Sequence, residues 1–188
     1  MSADFSRLPA DLPAPEDDGG ADHLPGSAVP QLALPSTQGD SFDLAQSKSR
    51  LLVAYVYPRT GVPGRPLPNG WDAIPGARGC TPQSCAYRDA VAEFGELDAE
   101  IVGISAQSPT EQLAFAAREH IPFPLLSDSS LRLAEVLGLP TFEAGGMTLY
   151  KRLTFVAEAG EIVKVFYPVF PPDRDAGEVL GWLRGRAK

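Results

Sequence analysis

The sequence predicts one α/β domain built on a central, mainly parallel β-sheet with helices on both faces. Along most of the chain, apolar and β-branched segments alternate with segments of helical periodicity, which is typical of parallel sheets covered by helices. Residues 51–57 (LLVAYVY) form an uninterrupted apolar run, which suits a strand that is buried on both faces. A length of 188 residues is enough for one domain with a substantial core.

The predicted elements begin with a hairpin around a turn at Gly39 and end with a helix. The predicted strands are 29–34, 38–44, 51–57, 100–105, 123–126, 148–157 and 161–166. The predicted helices are one that begins near Cys80 and covers 85–94, and then 109–119, 130–137 and 173–184. This order predicts a thioredoxin-like fold, in which helices flank a central mixed sheet, with an N-terminal β-hairpin extension.

Local signals support the ends of several elements. Ser108 and Pro109 suit the N-cap and the first position of a helix. Gly138 is expected to end the helix before it, and Asp173 to cap the last one. Ala159 and Gly160 suit the turn of the closing hairpin, whose second strand adds an antiparallel edge to the sheet.

Two segments lack hydrophobic periodicity. Residues 1–26 are rich in Pro, Asp, Gly and Ala, and the sequence predicts a disordered acidic tail there because so little apolar surface is available to offset ordering entropy. The folded domain is therefore expected to span 27–188. Residues 58–79 contain five prolines and five glycines between a buried strand and the cysteine helix, which predicts a functional loop.

Composition excludes several functions. A net charge of -8 argues against nucleic-acid and anionic-membrane surfaces, because either partner needs basic patches. No apolar run reaches about 18 residues, so no membrane span is expected. The first residues lack a basic region followed by an apolar one, so no signal peptide is expected and a cytoplasmic location is predicted. In the cytosol, two cysteines indicate redox or catalytic chemistry more often than a structural disulfide.

The segment 79–85 (GCTPQSC) contains both cysteines and is the most informative part of the chain. Pro82 is tolerated in a helix only in the first turn, so Cys80 is expected at the helix start or one residue before it. Thr81 is pushed away from helical angles by the proline, which loosens this start. The helix dipole, free backbone N–H groups and the nearby Arg78 all favour the thiolate, so Cys80 is the predicted nucleophile.

Cys85 is expected inside the same helix. A separation of five residues corresponds to about 500° of rotation and about 7.5 Å of rise, which places the two Cα atoms roughly 8 to 9 Å apart. A disulfide tolerates at most about 7 Å, so the pair cannot bridge until the first turns unwind. The spacing therefore predicts a cycle in which Cys80 becomes a sulfenic acid and Cys85 condenses with it. The alternative is that both thiols merely fill space near a helix.

The chain resembles the peroxiredoxins, specifically the branch called PrxQ or bacterioferritin-comigratory protein. The resemblance covers roughly residues 28–187, and its most specific part is 79–89, GCTPQSCAYRD. Further similarities are 102–105 (VGIS), 124–128 (PLLSD) and 151–156 (KRLTFV).

The resemblance implies a thiol-dependent peroxidase that reduces hydrogen peroxide and organic hydroperoxides and needs no metal, flavin or haem. In that branch the first cysteine is peroxidatic and the second is resolving, which implies these roles for Cys80 and Cys85. The family's active-site arginine, which stabilises the thiolate and the peroxide, corresponds to Arg152, while Arg78 and Thr81 are further candidates for the pocket. Thioredoxin or a similar dithiol protein is the implied reductant, and the expected state is a monomer or weak dimer.

One position departs from the family pattern. Ala77 stands three residues before Cys80, where the family has a threonine whose hydroxyl holds the peroxide. Pro58 and Thr60 resemble the front half of that signature but are separated from the cysteine by the loop. The sequence therefore predicts that the loop is an insertion across which Pro58 and Thr60 still line the pocket.

Two other functions stay open at this point. A thiol-disulfide oxidoreductase acting on proteins is less favoured, because that chemistry usually relies on a Cys-x-x-Cys motif, which is absent here. A redox-gated binding module would use unwinding of the helix to expose a surface for a partner. Insulin reduction would indicate the first alternative, and a partner captured only in the oxidised state would indicate the second.

Overall fold

The computed structural model describes residue 5 and residues 7–186. Its strands are β1 (Ala33–Pro35), β2 (Ser41–Asp43), β3 (Leu51–Val56), β4 (Ala99–Ser105), β5 (Leu125–Ser127), β6 (Thr141–Ala144), β7 (Met147–Tyr150), β8 (Leu153–Glu158) and β9 (Glu161–Phe166). Its α-helices are α1 (Cys80–Asp89), α2 (Val91–Glu96), α3 (Pro109–Glu119), α4 (Arg132–Leu137) and α5 (Asp175–Arg186).

The central sheet has five strands in the order β5-β4-β3-β8-β9. β3 pairs in parallel with β4, and β4 with β5, whereas β8 runs antiparallel to both β3 and β9. β1 and β2 form the predicted N-terminal hairpin. The predicted thioredoxin-like α/β fold with a central mixed sheet is therefore confirmed.

Both faces of the sheet are buried, as the apolar run at β3 predicts. The odd-numbered residues of β3 pack against a layer that includes Tyr87 of α1 and Phe94 of α2. Its even-numbered residues pack against a second layer, which includes Leu133 of α4 and Leu24 of the N-terminal segment. Because β3 lies between two layers, its carboxyl end and the chain that follows are held firmly beside α1.

Two predicted elements are divided in the structure. The cysteine helix ends at Asp89, and α2 begins at Val91 after a junction at Ala90. The predicted strand 148–157 is divided between β7 and β8, and β7 pairs instead with β6 in a hairpin that the sequence does not predict. The division falls at Lys151 and Arg152, where the chain turns the arginine into the site described below.

The N-terminal segment corrects the prediction of a disordered tail. Over residues 7–26 the chain packs on the domain, and Leu24 is fully buried. The Asp18 carboxylate accepts hydrogen bonds from the Lys151 ammonium (2.5 Å) and the Tyr167 hydroxyl (2.6 Å). The composition of this segment led to a wrong prediction because its few apolar residues are buried against the domain instead of forming a core of their own. Residues 1–4 and 6 lie outside the described residues.

The predicted loop 58–79 contains no strand, but it has one 3₁₀ turn at Trp71–Ala73. Trp71 is buried in a small apolar cluster with Ala77 and Leu149, so the loop is fixed next to the start of α1. In residues 5 and 7–186, no helix has both the length and the apolar character that a membrane crossing requires.

Candidate active site

α1 begins at Cys80, as the proline in its first turn predicts. Its N-cap is Gly79 at φ +105°, a left-handed conformation that side chains rarely adopt. A Cβ at this position would lie 2.3 Å from Pro172 and 2.7 Å from Leu8, so only glycine fits the turn. The turn places the Cys80 thiol, which is 2% exposed, at the positive end of the helix, where backbone N–H groups lack partners inside the helix.

Arg152 lies directly against this thiol. Its Nη2 is 3.2 Å from Cys80 Sγ, and the same nitrogen lies within 3.2 Å of the carbonyl oxygens of Gly76, Ala77 and Arg78. The side chain is 3% exposed, so Arg152 points inward. A buried guanidinium therefore lies in contact with this sulfur, where solvent screens little of its charge.

A buried polar network lies behind the arginine. Arg152 Nη1 donates to Gln83 Oε1 (2.5 Å), and Gln83 Nε2 donates to Asp175 Oδ2 (2.7 Å). The same carboxylate oxygen accepts from Thr154 Oγ1 (2.7 Å) and the Tyr87 hydroxyl (2.9 Å). Burial raises the pKa of Asp175 despite these donors. The network links α1, β8 and α5 around the charged group that faces the sulfur.

The thiol reaches a narrow cavity of about 10 Å³ at the surface of the protein. The cavity is lined by Phe5, Arg59, Gly61, Leu67, Trp71, Arg78, Gly79, Cys80 and Thr81. Arg78 and Thr81, two predicted pocket residues, are thus beside Cys80. The Arg78 guanidinium also forms an ion pair with Asp72 (3.1 Å) at the outer rim. A larger cavity of about 670 Å³ lies by Leu52 and Ala157 and is lined by neither cysteine.

Pro58 and Thr60, the other predicted pocket residues, do not line this cavity. Pro58 is buried, and Thr60 donates through its backbone N–H (2.8 Å) and its hydroxyl (3.0 Å) to Gln107 Oε1. Thr60 instead borders a neighbouring cavity with Arg59. Ala77 is fully buried, and its carbonyl group, not its side chain, contacts Arg152.

Cys85 has different surroundings. It is half-buried on the same helix as Cys80, and both thiols are free. Its Sγ lies 3.9 Å from Glu119 Oε2 of α3. Burial raises the pKa of Cys85, with Glu119 adding to the effect and Arg88 opposing it. The neutral thiol is therefore favoured while the helix is intact.

Sequence reasoning did not identify Gln83, Asp175 or Arg59 as part of the site. Gln83 lies three residues after Cys80, and on a helix this spacing places both on one face, so a polar residue there was a usable signal. Asp175 is far away in sequence, and the pattern of the last helix does not distinguish it from a capping residue. Arg59 lies three residues after the end of β3 and forms an ion pair with Glu111 (2.7 Å).

A search against protein-family models matches residues 24–180 to the family described as Redoxin. Among curated proteins, the chain is 32% identical over 160 residues to "Peroxiredoxin Q, chloroplastic" from Populus jackii. That match covers 85% of this chain and 67% of the relative.

Solved structures share the fold of this chain. The structure of the peroxidoxin BcpB from Mycobacterium tuberculosis matches with a TM-score of 0.70 and 29% identity, covering 87% of this chain and 98% of that one. The bacterioferritin comigratory protein of Xanthomonas campestris, from a study of its alkyl peroxide reduction activity, matches with a TM-score of 0.66 over 95% of this chain and 100% of that one. At 23% identity, this second match supports the fold alone.

Proposed function

This chain belongs to the redoxin family and is a thiol-dependent peroxidase of the peroxiredoxin Q type, and we propose that Cys80 attacks the peroxide while Cys85 resolves the product. The observation that carries these roles is the contact of 3.2 Å between Arg152 Nη2 and Cys80 Sγ at the start of α1. The sulfur of Cys80 thus lies both at a helix N-terminus and against a buried cation, whereas the sulfur of Cys85 does not.

In the first step the Cys80 thiolate attacks the outer oxygen of the hydroperoxide. A sulfur–oxygen bond forms, the oxygen–oxygen bond breaks, and the leaving alkoxide or hydroxide takes up a proton. Cys80 is oxidised to a sulfenic acid and the peroxide is reduced to an alcohol or water. Arg152 stabilises the charge as it moves from sulfur to oxygen, because the guanidinium is already in place before the reaction begins.

In the second step Cys85 attacks the sulfenic sulfur. A disulfide forms between Cys80 and Cys85, and the sulfenic oxygen leaves as water with the proton of the Cys85 thiol. Both residues belong to one intact helix, so at least its first turns must open for the sulfurs to meet. Opening also takes Cys85 away from Glu119, which removes one cause of its raised pKa.

A dithiol protein such as thioredoxin then reduces the disulfide and is itself oxidised. Hydrogen peroxide and organic hydroperoxides are the proposed substrates, as the resemblance to the peroxiredoxin Q branch implies. A cytoplasmic location and a monomeric or weakly dimeric state stay predictions from the sequence.

The test is peroxide consumption coupled to thioredoxin, with hydrogen peroxide and cumene hydroperoxide, for the wild type, Cys80→Ser and Cys85→Ser. We expect turnover in the wild type and none in Cys80→Ser. Cys85→Ser should react once and retain a sulfenic acid that a dimedone-type reagent traps at Cys80.

Two results would contradict the assigned roles. One is a sulfenic acid trapped at Cys85 instead of Cys80. The other is a wild type that fails to consume either peroxide while a control peroxidase is active in the same assay. If Cys80 reacted with peroxide but formed no disulfide with Cys85, only the second step of the proposed cycle would be contradicted.

A further inference from the structure

Asp175 is a buried carboxylate with an unusual set of contacts. It is the first residue of α5 and is 1% exposed. Its Oδ2 accepts three hydrogen bonds, whereas Oδ1 is buried without a partner among the described residues. Burying a carboxylate is costly, so a position of this kind requires an explanation beyond the capping of a helix.

Gln83 connects this carboxylate to Arg152. Its amide oxygen accepts from Arg152 Nη1, and its amide nitrogen donates to Asp175 Oδ2. A guanidinium only donates hydrogen bonds, and Oδ2 is already the acceptor for two hydroxyl groups. The amide therefore has one favourable orientation, because a flip would place donor against donor at one end.

Arg152 needs this constraint because Nη2 has more hydrogen-bond acceptors within reach than it has hydrogens to donate. Nη2 carries two hydrogens but lies within 3.2 Å of Cys80 Sγ and three carbonyl oxygens. The carbonyl groups alone could hold the guanidinium with neither hydrogen directed at the sulfur. The bond from Nη1 to Gln83 removes the rotation of the guanidinium plane that would allow this.

We infer that Asp175 is a positioning residue for the peroxidase reaction, which acts through Gln83 to keep Arg152 Nη2 directed at the Cys80 sulfur. The inference rests on the proposed function, because it assigns a role to the surroundings of the attacking thiol. Asp175 touches neither the sulfur nor the peroxide pocket.

The first test compares two substitutions of Asp175 in a Cys85→Ser background. Asp175→Leu keeps the approximate volume but leaves the Gln83 amide nitrogen without an acceptor, whereas Asp175→Asn retains one. Asp173→Leu, at an exposed position two residues earlier, is the matched control. The readouts are the second-order rate constant with hydrogen peroxide and the thiolate fraction of Cys80 from its ultraviolet absorbance against pH.

We expect Asp175→Leu to slow the reaction about tenfold and to lower the thiolate fraction at neutral pH, because Arg152 loses its orientation. Asp175→Asn should stay within about threefold of the parent, and Asp173→Leu should match it. A merely structural role would lower the unfolding temperature without changing the thiolate fraction of the molecules that remain folded.

A second test exchanges the amide of residue 83 and the carboxylate of residue 175. This test stays informative even if Asp175→Leu does not fold. Gln83→Glu places a second carboxylate against Asp175, which disturbs the contact and draws Arg152 away from the sulfur. Adding Asp175→Asn restores one carboxylate and one amide in reversed order. We expect about a tenfold loss in Gln83→Glu and recovery to within about threefold in the double variant.

The inference is overturned if Asp175→Leu folds and keeps both the rate constant and the thiolate fraction of its parent. It is also overturned if Gln83→Glu with Asp175→Asn is no faster than Gln83→Glu alone. Failure of the proposed function looks different, since Cys80 in the Cys85→Ser parent itself would then not react with peroxide.

Discussion

The two cysteines of α1 lie in different surroundings. At its first residue, Cys80 is buried against the guanidinium of Arg152. About one and a half turns later, in the middle of the helix, Cys85 is half-buried beside the carboxylate of Glu119. A buried cation faces the first sulfur and a carboxylate lies near the second, although both cysteines belong to the same ten-residue helix.

This difference supports the proposed order in which the two cysteines act. In that proposal Cys80 reacts first, in the folded state, because its sulfur lies at a helix N-terminus beside a buried guanidinium. Cys85 is held as a neutral thiol until the helix opens, so it does not compete for the first oxidant. In the proposed cycle the folded helix therefore keeps the two sulfurs apart until Cys80 has been oxidised. The predictions below alter the surroundings of one cysteine at a time.

The largest effect is expected at the Cys80 end from Arg152→Lys. A lysine has one nitrogen and cannot contact Gln83, the loop carbonyl groups and the sulfur together. The rate constant of Cys80 with hydrogen peroxide should fall about 10²-fold, as measured by rapid mixing. Lys151→Gln, at the partly exposed neighbouring position, is the control and should have little effect. If the rate constant of a folded Arg152→Lys variant fell by less than about threefold, the arginine would have no direct role in the reaction.

At the Cys85 end, Glu119→Gln should make the thiol more reactive. Removing the carboxylate charge removes one cause of the raised pKa of Cys85, so more thiolate is present at a given pH. Alkylation of Cys85 by iodoacetamide in a Cys80→Ser background should become about fivefold faster at mildly alkaline pH. Glu96→Gln, an exposed carboxylate on α2, should change nothing. Equal alkylation rates in the two variants would show that the charge of Glu119 does not contribute to the raised pKa of Cys85.

The part of α1 next to Cys85 can be loosened with Tyr55→Phe. The Tyr55 hydroxyl donates to Ser84 Oγ (3.1 Å) and anchors the middle of α1 to β3. Without this bond the helix opens more easily, and the disulfide should form about threefold faster after oxidation of Cys80. Tyr57→Phe removes an equally buried bond, to Gln112 on α3, and is the matched control. A similar acceleration in both variants would indicate general destabilisation.

The smallest expected effect is on the pH dependence of stability. The folded state raises the pKa of Cys85, so its contribution to stability is fully present below the ordinary thiol pKa and is lost as the pH rises through the raised value. Between about pH 7 and about pH 10, Cys80→Ser should lose about 1–2 °C more in unfolding temperature than Cys80→Ser with Cys85→Ser. A parallel decline of the two would contradict the raised pKa.

The sequence predicted the helix end with Cys80 better than it predicted the surroundings of either cysteine. Pro82 placed the start of α1 correctly because a proline has few options in a helix. Ser108 and Pro109 likewise placed the start of α3, where Ser108 and Glu111 form a capping box. These signals are local, and each depends on only a few neighbouring residues.

Features that depend on distant residues were not predicted. The break between β7 and β8 follows no pattern in the chain, because the inward turn at Arg152 is set by its contacts with the loop and α1. Asp175 is brought to Gln83 only by the packing of α5 on α1. The N-terminal segment gained its order from the domain beneath it. In each case the deciding contact joins residues that are far apart in sequence.

The central claim is that α1 must open between its two cysteines for the cycle to close. The most direct measurement is amide hydrogen exchange across residues 80–89 in the reduced protein and in the protein oxidised with one equivalent of hydrogen peroxide. We predict protection through α1 in the reduced form, and its loss around Cys80–Cys85 in the disulfide form while α3 stays protected. A Cys80–Cys85 disulfide in a helix that remains fully protected would contradict the account.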